Sequence, residues 1–358
     1  MAHFAQDLRG WPGLQDFSVA HDVEHVGHVA DHGKVVGDHH HRHAVLFDQP
    51  FEQVEDLRLC RHIERRCRLI RDQKPGTQGD CLVLSRELSL RQVGEIAKEI
   101  ERRQIKGPSG KLVRLEVFGH GALCMAVSGK CYLSLHSNNS SANRGACIQN
   151  CRKSYIVTSK EDGQELEIDN EYIMSAKDLC TIGFLDKIVE AGVQIIKIEG
   201  RGRSADYVDT TVSCYREALE SMKEGTYTPE KIQQWMDRLS TVYNRGFWDG
   251  YYLGRKMGEW NDSYGSKATE RKLLVGKGVK YFKKAGVGEF KLESFGLKKG
   301  DAVMVTSPRF GVRRFEAEEL RVDNEPVAEV KKGDVFSMKF DEVITPAAKV
   351  YKIEAVDA

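Results

Sequence analysis

CLVLSRELSLRQVGEIAKEIERRQIKGPSGKLVRLEVF, residues 81–118, decides the fold class. Cys81 to Ser85 is a short apolar run of the kind that forms a buried strand. Ser89 to Arg103 places Leu90, Val93, Ile96, Ala97 and Ile100 on one face of an amphipathic helix, with Ser89 as its N-cap. A Gly-Pro-Ser-Gly turn at 107–110 leads into a second strand, Leu112 to Phe118. Strand, helix, turn and strand form a βαβ unit, which requires parallel strands and a right-handed crossover.

Toward the C-terminus the rhythm continues. A short strand is expected at Glu165 to Ile168, after an Asp162-Gly163 turn. A helix follows from Gly183 to Ala191, ending at Gly192, and then a buried strand from Val193 to Ile198. Ala205 to Met222 reads as a helix with Val208, Val212, Tyr215 and Leu219 inward. Thr228 and Pro229 cap and open another, carrying Ile232, Trp235, Met236, Leu239 and Val242. Repeated βα units predict an α/β barrel or doubly wound sheet, with too few strands after residue 80 to close an eight-stranded barrel. Beyond the linker Trp260 to Lys267, short alternating runs from Lys272 to Ile353 predict a small C-terminal β-barrel. The expected division is 1–80, 81–265 and 270–358.

Residues 1–80 differ in character. They hold nearly all the histidine, including His39, His40, His41 and His43, almost no lysine, and no sustained periodicity. A histidine cluster suits a metal, but the absence of a packing pattern favours a poorly ordered or artefactual segment. Net charge is +1 over 358 residues, so no global excess announces a nucleic-acid binder or membrane-surface protein. No apolar run reaches spanning length, and the N-terminus lacks a signal-peptide layout. The expectation is a soluble, cytoplasmic protein whose nine cysteines are reduced thiols, ligands or core residues.

The chemistry gathers in EVFGHGALCMAVSGKCYLS, residues 116–134. Small residues at Gly119 to Ala122 and at Ser128-Gly129 flank Cys124 and allow close backbone approach. Cys131, Cys147, Cys151 and Cys180 follow, and the polar, turn-rich chain between Cys131 and Cys147 lets these thiols fold back together. The residues alone leave a metal site and buried structural cysteines equally open; Cys60, Cys67, Cys81 and Cys214 read as core or incidental. Glu199, Arg201 and Arg203 lie past the end of a predicted strand, where an arginine pair suits a carboxylate or phosphate and where an ordinary ion-pair cluster is equally expected. His120 is a candidate proton carrier, or a histidine that bonds the backbone.

The chain resembles peptidase family U32, whose members are described as collagenase-like proteases or as hydroxylation proteins. Its signature is met by Glu116, Phe118, Gly121, Ala122, Leu123, Cys124, Gly129, Cys131, Leu133 and Ser134. Supporting segments are Asn143 to Cys147, Tyr172 to Met174, Lys177 to Cys180, Lys197 to Arg201 and Asn244 to Phe247. The likeness spans roughly residues 82–355. Two departures stand out: no counterpart of the family's first strands exists in residues 1–80, and Gly202 stands where a larger residue is usual.

The resemblance implies a partial TIM-type (β/α) barrel followed by a small β-barrel. It also implies a 4Fe-4S cluster on Cys124, Cys131, Cys147 and Cys180, with Cys151 in reserve. Asn143 and Arg144 would neighbour the cluster or substrate, and the lysines around Tyr281 and Phe282 would hold tRNA. The activity implied is hydroxylation of the tRNA wobble uridine, with an electron donor or protein partner that the sequence leaves unidentified. The alternatives are a collagenase-like peptidase, although no Gly-x-Ser-x-Gly elbow or His-Glu-x-x-His helix occurs, and an RNA-binding remnant without catalysis.

Overall fold

The computed structural model describes residues 20–21, 79–128, 130–142, 146–168, 175–255, 257–261 and 265–356. The histidine cluster at 39–43, Cys60, Cys67, Gly129, Asn143, Arg144 and 172–174 lie outside the described residues. The chain divides into two compact units. The first comprises 1–201, 215–235 and 244–265; the second comprises 202–214, 236–243 and 266–358.

The first unit is built on a six-stranded mixed sheet. Its strands are β1 (Ala20–His21), β2 (Cys81–Val83), β3 (Arg114–Ala122), β6 (Asp178–Cys180), β7 (Ile195–Ile198) and β8 (Phe247–Trp248). Strand β3 is central. It pairs in parallel with β7 on one edge, and Glu116 opposes both Ile195 of β7 and Val83 of β2, so β2 occupies the other edge. Further along that second edge β6 runs antiparallel, with His120 opposite Cys180.

Helix α1 (Leu90–Arg103) forms where the apolar spacing requires it. Ser89 closes a reciprocal cap with Gln92, and Val93, Ile96 and Ile100 are buried. The other helices are α2 (Leu133–Asn138), α3 (Leu185–Glu190), α4 (Ala205–Lys223) and α5 (Pro229–Ser240). Alternation along β3 sends Leu115 and Val117 into the core, while Glu116 and Phe118 take the opposite face. Gly119 is required by packing, because a Cβ there would meet Ile196 Cγ2 at 2.4 Å.

The sequence predicts only parallel strands here. The antiparallel β6 and the hairpin of β4 (Tyr155–Thr158) with β5 (Glu165–Ile168) depart from that expectation. The β4–β5 hairpin follows from its short polar connection, which returns the chain alongside itself, whereas β6 meets β3 only after the long thiol-bearing segment that separates them in sequence. The sheet is open among the described residues, so the first unit is a mixed α/β layer and not a closed barrel.

The second unit contains an eight-stranded antiparallel sheet. Its strands are β9 (Glu270–Phe282), β10 (Val287–Leu292), β12 (Ala302–Ser307), β13 (Gly311–Glu316), β14 (Leu320–Val322), β15 (Glu325–Val327), β17 (Val335–Lys339) and β18 (Lys349–Ala355). A separate pair joins β11 (Leu297–Lys298) to β16 (Glu329–Val330). The order β13-β12-β18-β9-β10-β17-β14-β15 leaves β13 and β15 at the ends, so the expected barrel is not closed by a strand ladder among the described residues. A cavity of about 740 Å³ opens there, lined by residues of β13 with Pro326 of β15 and Phe340. Phe340 lies 5.5 Å from both Phe310 and Phe315, and Arg313 pairs with Glu342. Among the described residues no helix is long and apolar enough to cross a membrane.

Candidate thiol-rich site

Near the end of β3, Gly121 has a φ of 119°, in the region that glycine tolerates, and the strand ends at Ala122, two residues before Cys124. The return from Cys131 to Cys147 is made by hydrogen bonds of short polar side chains. Buried Ser134, on α2, accepts from the Ile148 amide at 3.1 Å and donates to Cys147 Sγ at 3.9 Å. Asn150 Nδ2 donates to the Leu133 carbonyl at 3.2 Å. The turn-rich stretch expected here therefore contains a helix, and α2 carries the groups that seat the second half of the loop.

Four thiols share one electrostatic neighbourhood. Cys124 is exposed by surface area, yet the protein packed around it partly desolvates its thiol and lifts its pKa; Cys147 and Cys131 add to this by repulsion, and Arg86 and Arg152 oppose it. Burial likewise lifts Cys151, with Arg152 opposing and Cys124, Cys147 and Cys131 adding. Cys180 has other surroundings. It is buried on β6, with the Ile182 amide and the Tyr215 hydroxyl beside its sulfur, and burial pushes its pKa up to about 11. The structure thus groups the reserve cysteine, Cys151, with Cys124, Cys131 and Cys147.

Two guanidiniums flank these thiols. Arg152 donates to Ser175 Oγ at 2.8 Å, to the Ala176 carbonyl at 2.7 Å and to the Leu123 carbonyl at 2.9 Å, all neutral acceptors. Burial lowers its pKa, the neighbouring Arg245 adds to that, and Cys151, Asp178 and Cys124 counter it. Arg245 has its own carboxylate, Asp178, at 3.4 Å. Arg86 donates to the Ala122 carbonyl at 3.1 Å, stacks 3.8 Å over the Phe118 ring and pairs with Glu199 at 3.6 Å. A cavity of about 50 Å³ beside Cys124 is lined by Arg86, Glu87 and Tyr251 among others.

The expected Glu199–Arg201–Arg203 group is only partly assembled. Glu199 accepts the Arg201 amide at 3.0 Å, while the Arg201 residue is exposed. Arg203 belongs to the second unit, where it stacks 4.1 Å over Tyr243 and 5.3 Å over Tyr207. His120 is buried, with Nδ1 3.4 Å from the Tyr215 hydroxyl, which itself donates to the Gly119 carbonyl at 2.7 Å.

Cys81, expected to be incidental, donates to Glu116 Oε2 at 3.5 Å, and Glu116 Oε1 lies 3.2 Å from Lys197 Nζ. In the second unit several of the lysines expected to face RNA are ion-paired: Lys272 with Asp206, and Lys277 with Glu293 at 2.7 Å. Lys280 lies 5.1 Å over Phe282.

The family model for peptidase family U32 matches residues 77–262, the span that contains this whole thiol loop. The chain belongs to peptidase family U32. Within the family it is 52% identical over 275 residues to a collagenase of Porphyromonas gingivalis, a match covering 77% of this chain and 66% of that protein. It is 27% identical over 301 residues to tRNA hydroxylation protein P of Haemophilus influenzae, covering 71% of this chain and 62% of that protein. The chain thus spans about two thirds of the length of these U32 relatives. The solved C-terminal domain of a putative U32 peptidase from Geobacillus thermoleovorans aligns with 22% of this chain and 96% of its own, at a TM-score of 0.21 and 12% identity.

Proposed function

We propose that this U32 protein is a thiol-ligated metalloprotein that hydroxylates tRNA at C5 of the wobble uridine. One observation carries the reading: Cys124, Cys131, Cys147 and Cys151 share one electrostatic neighbourhood with Arg152, a half-buried guanidinium whose hydrogen bonds go to neutral oxygens. A half-buried cation favours negative charge nearby, which Asp178 supplies in part and which these thiols would supply once a metal had displaced their protons.

Soft thiolate donors suit a 4Fe-4S cluster or a structural zinc ion, and the chemistry of this donor set fits such a group. Cys124, Cys131 and Cys147 would hold it, with Cys151 as the fourth ligand in place of Cys180. Among the described residues no three His, Cys, Asp or Glu side chains stand at metal-holding spacing, so binding such a group would require these thiols to come closer together. An iron-sulfur cluster supplies a one-electron redox or substrate-binding centre when bound. The chain's own residues set its surroundings: Arg152 ties down the approach to Cys124, and Arg86 links the loop to Glu199 on the sheet side.

The reaction replaces C5–H of uridine by C5–OH. The base loses two electrons, which pass to an oxygen-donating co-substrate. The relative named tRNA hydroxylation protein P supports the RNA substrate, and Lys280 with Phe282 offers a cation beside an aromatic ring for the strand. In the same reading the open sheet of the first unit is part of a (β/α) barrel, the second unit is a small β-barrel, and the protein works in the cytoplasm.

A peptidase is the second reading, favoured by the relative named collagenase. Cys81, the thiol with a carboxylate beside it, is a poor nucleophile for that purpose, because burial and Glu116 push its pKa up to about 11. Iron analysis and visible absorbance of anaerobically purified protein test the first reading, together with mass spectrometry of tRNA from a deletion strain. Bound iron and loss of 5-hydroxyuridine are expected. Gelatin hydrolysis by iron-free protein, with unchanged tRNA, would establish the peptidase; RNA binding with neither activity would mark a non-catalytic remnant.

A further inference from the structure

Two strands of the second unit turn open main chain toward the cavity at the end of the eight-stranded sheet. In an antiparallel ladder, residues alternate between bonding a given neighbour and facing away from it. The Ala317 amide donates to the Asp301 carbonyl at 2.9 Å, and the register continues with Glu316 opposite Ala302 and Arg314 opposite Met304. The main chain of Arg314 therefore faces away from β12, on the side where β13 has no neighbouring strand among the described residues. On that same edge the Val312 carbonyl already accepts from the Arg313 guanidinium at 2.9 Å and the Glu316 carbonyl from the Glu318 amide at 2.8 Å, which leaves the Arg314 carbonyl open between them. Across the cavity, the Phe340 amide donates to the Gly286 carbonyl at 2.9 Å and Lys339 opposes Val287, so the main chain of Lys339 faces away from β10. On that side β17 meets β14 through the Arg321–Ser337 register pair, and its edge is open beyond Ser337.

The cavity of about 740 Å³ that these strands border has Phe315, Met338 and Phe340 among its apolar walls. Its size falls within the range of about 300–1,000 Å³ typical of ligand pockets. Much of its charge is already committed: Arg313 pairs with Glu342, Arg314 with Glu270 and Arg321 with Glu319. Of the lining charges left without an ion pair among the described residues, Glu316, Glu318 and Asp341 outnumber Lys299 and Lys339. We propose that this gap is a groove for an extended, basic polypeptide segment, which adds a strand between β13 and β17. The main-chain groups of Arg314 and Lys339 supply the ladder, the phenylalanine walls take alternate apolar side chains, and the three carboxylates face the basic ones. A nucleic-acid strand has no main-chain amides for these edges, and its phosphates would meet the carboxylate excess. The site lies within the second unit and stands or falls separately from the tRNA-hydroxylation reading.

The test is fluorescence anisotropy of the full chain with a dye-labelled hexapeptide that alternates valine and lysine. Two further peptides are compared with it: one N-methylated at alternate main-chain amides, and one with glutamate in place of lysine. The native protein is expected to bind each of these roughly tenfold or more weakly, the first because it loses ladder hydrogen bonds and the second because it brings carboxylates to carboxylates. Arg314→Pro removes the edge N–H and is expected to weaken binding of the parent peptide by about tenfold with the far-ultraviolet circular dichroism unchanged, since an edge strand tolerates proline. The N-methyl comparison uses the native chain, so misfolding of the variant cannot mask the result. Equal binding of the parent and N-methylated peptides would overturn the added strand, as would failure to bind any of the three. Tighter binding of a six-nucleotide single-stranded RNA than of the parent peptide, weakened in the same way by Arg314→Pro, would overturn the proposal in favour of an RNA groove.

Discussion

Arg152 donates to the main-chain carbonyl of Leu123 across 2.9 Å, and thereby fixes the residue that immediately precedes Cys124. The same guanidinium reaches Ser175 and Ala176, so one side chain fastens the thiol loop to the segment ahead of β6. Groups that orient metal ligands from outside the coordination sphere typically contribute ten- to a hundredfold in affinity. Arg152→Gln is therefore expected to lower retained iron by roughly tenfold at limiting iron, whereas Arg152→Lys, which keeps the charge, recovers part of it. Iron-to-protein ratio by elemental analysis measures both, and full retention in the glutamine variant would refute the role.

Cys151 and Cys180 answer which thiol completes the set. Cys151 shares its electrostatic neighbourhood with Cys124, Cys131 and Cys147, whereas Cys180 sits under the Tyr215 hydroxyl. Cys151→Ser is expected to abolish visible absorbance and bound iron. Cys180→Ala is expected to keep both and to lower the urea midpoint, since it removes a buried sulfur from the core. The opposite pattern would assign the fourth position to Cys180.

Much of this was legible before folding, and the limits have physical causes. The period of α1 and the cap at Ser89 are local properties, so residues 89–103 announce their own helix. The two-residue alternation of β9 to β18 is equally local. Arg86 and Arg152 are different. Each is a single arginine without a motif, and each gains meaning only when β3 brings Ala122 and Leu123 to it. Cys81 looked incidental because its partner, Glu116, lies 35 residues away in sequence. Arg203 looked like part of one cluster with Glu199 because the two are close in sequence, yet it stacks on Tyr243. The antiparallel course of β6 could not be read from three residues whose neighbours on both sides are irregular.

Cys81 gives a pH-dependent prediction. Burial comes first and the Glu116 carboxylate second among the causes that raise its pKa to about 11, so the protonated thiol is the form favoured by folding. At pH 8 roughly one molecule in a thousand carries the thiolate, and alkylation at this position should be correspondingly slow, rising with pH until about 11. Glu116→Gln removes the repulsion and should accelerate the reaction at pH 8. Peptide mapping after iodoacetamide treatment resolves Cys81 from the other thiols. A native rate equal to that of an unhindered thiol would contradict the assignment.

In the second unit Phe340 is 5% exposed and lies against Phe290, Phe310 and Phe315. Phe310 precedes β13 and Phe315 lies within it, the strand that ends the sheet, so these rings hold the 340 region against that strand. Phe340→Ala is expected to destabilise this unit by about 3–5 kcal/mol, through lost burial and the cavity left behind. Phe340→Leu should cost less than half of that by urea titration, because it refills most of the volume. A loss below about 1 kcal/mol in the alanine variant would show that the seam is held by other contacts, such as the Arg313–Glu342 pair.

Tyr215 joins α4 to β3 at Gly119. Its hydroxyl donates to the Gly119 carbonyl at 2.7 Å and accepts from the Thr181 amide at 2.9 Å, all within the core beside His120. Thr181 also donates through its amide and its hydroxyl to Gly119, at 3.1 and 3.0 Å, so the carbonyl keeps partners when the tyrosine oxygen is removed. That redundancy sets the size of the effect. Tyr215→Phe preserves the buried ring and should cost about 1–2 kcal/mol in urea unfolding, toward the lower end for a lost buried hydrogen bond. If His120 serves only to complete this packing, the variant retains its full activity on tRNA once folded. A defect in 5-hydroxyuridine formation at unchanged iron content and unchanged RNA affinity would instead give the Tyr215–His120 contact a part in the chemistry.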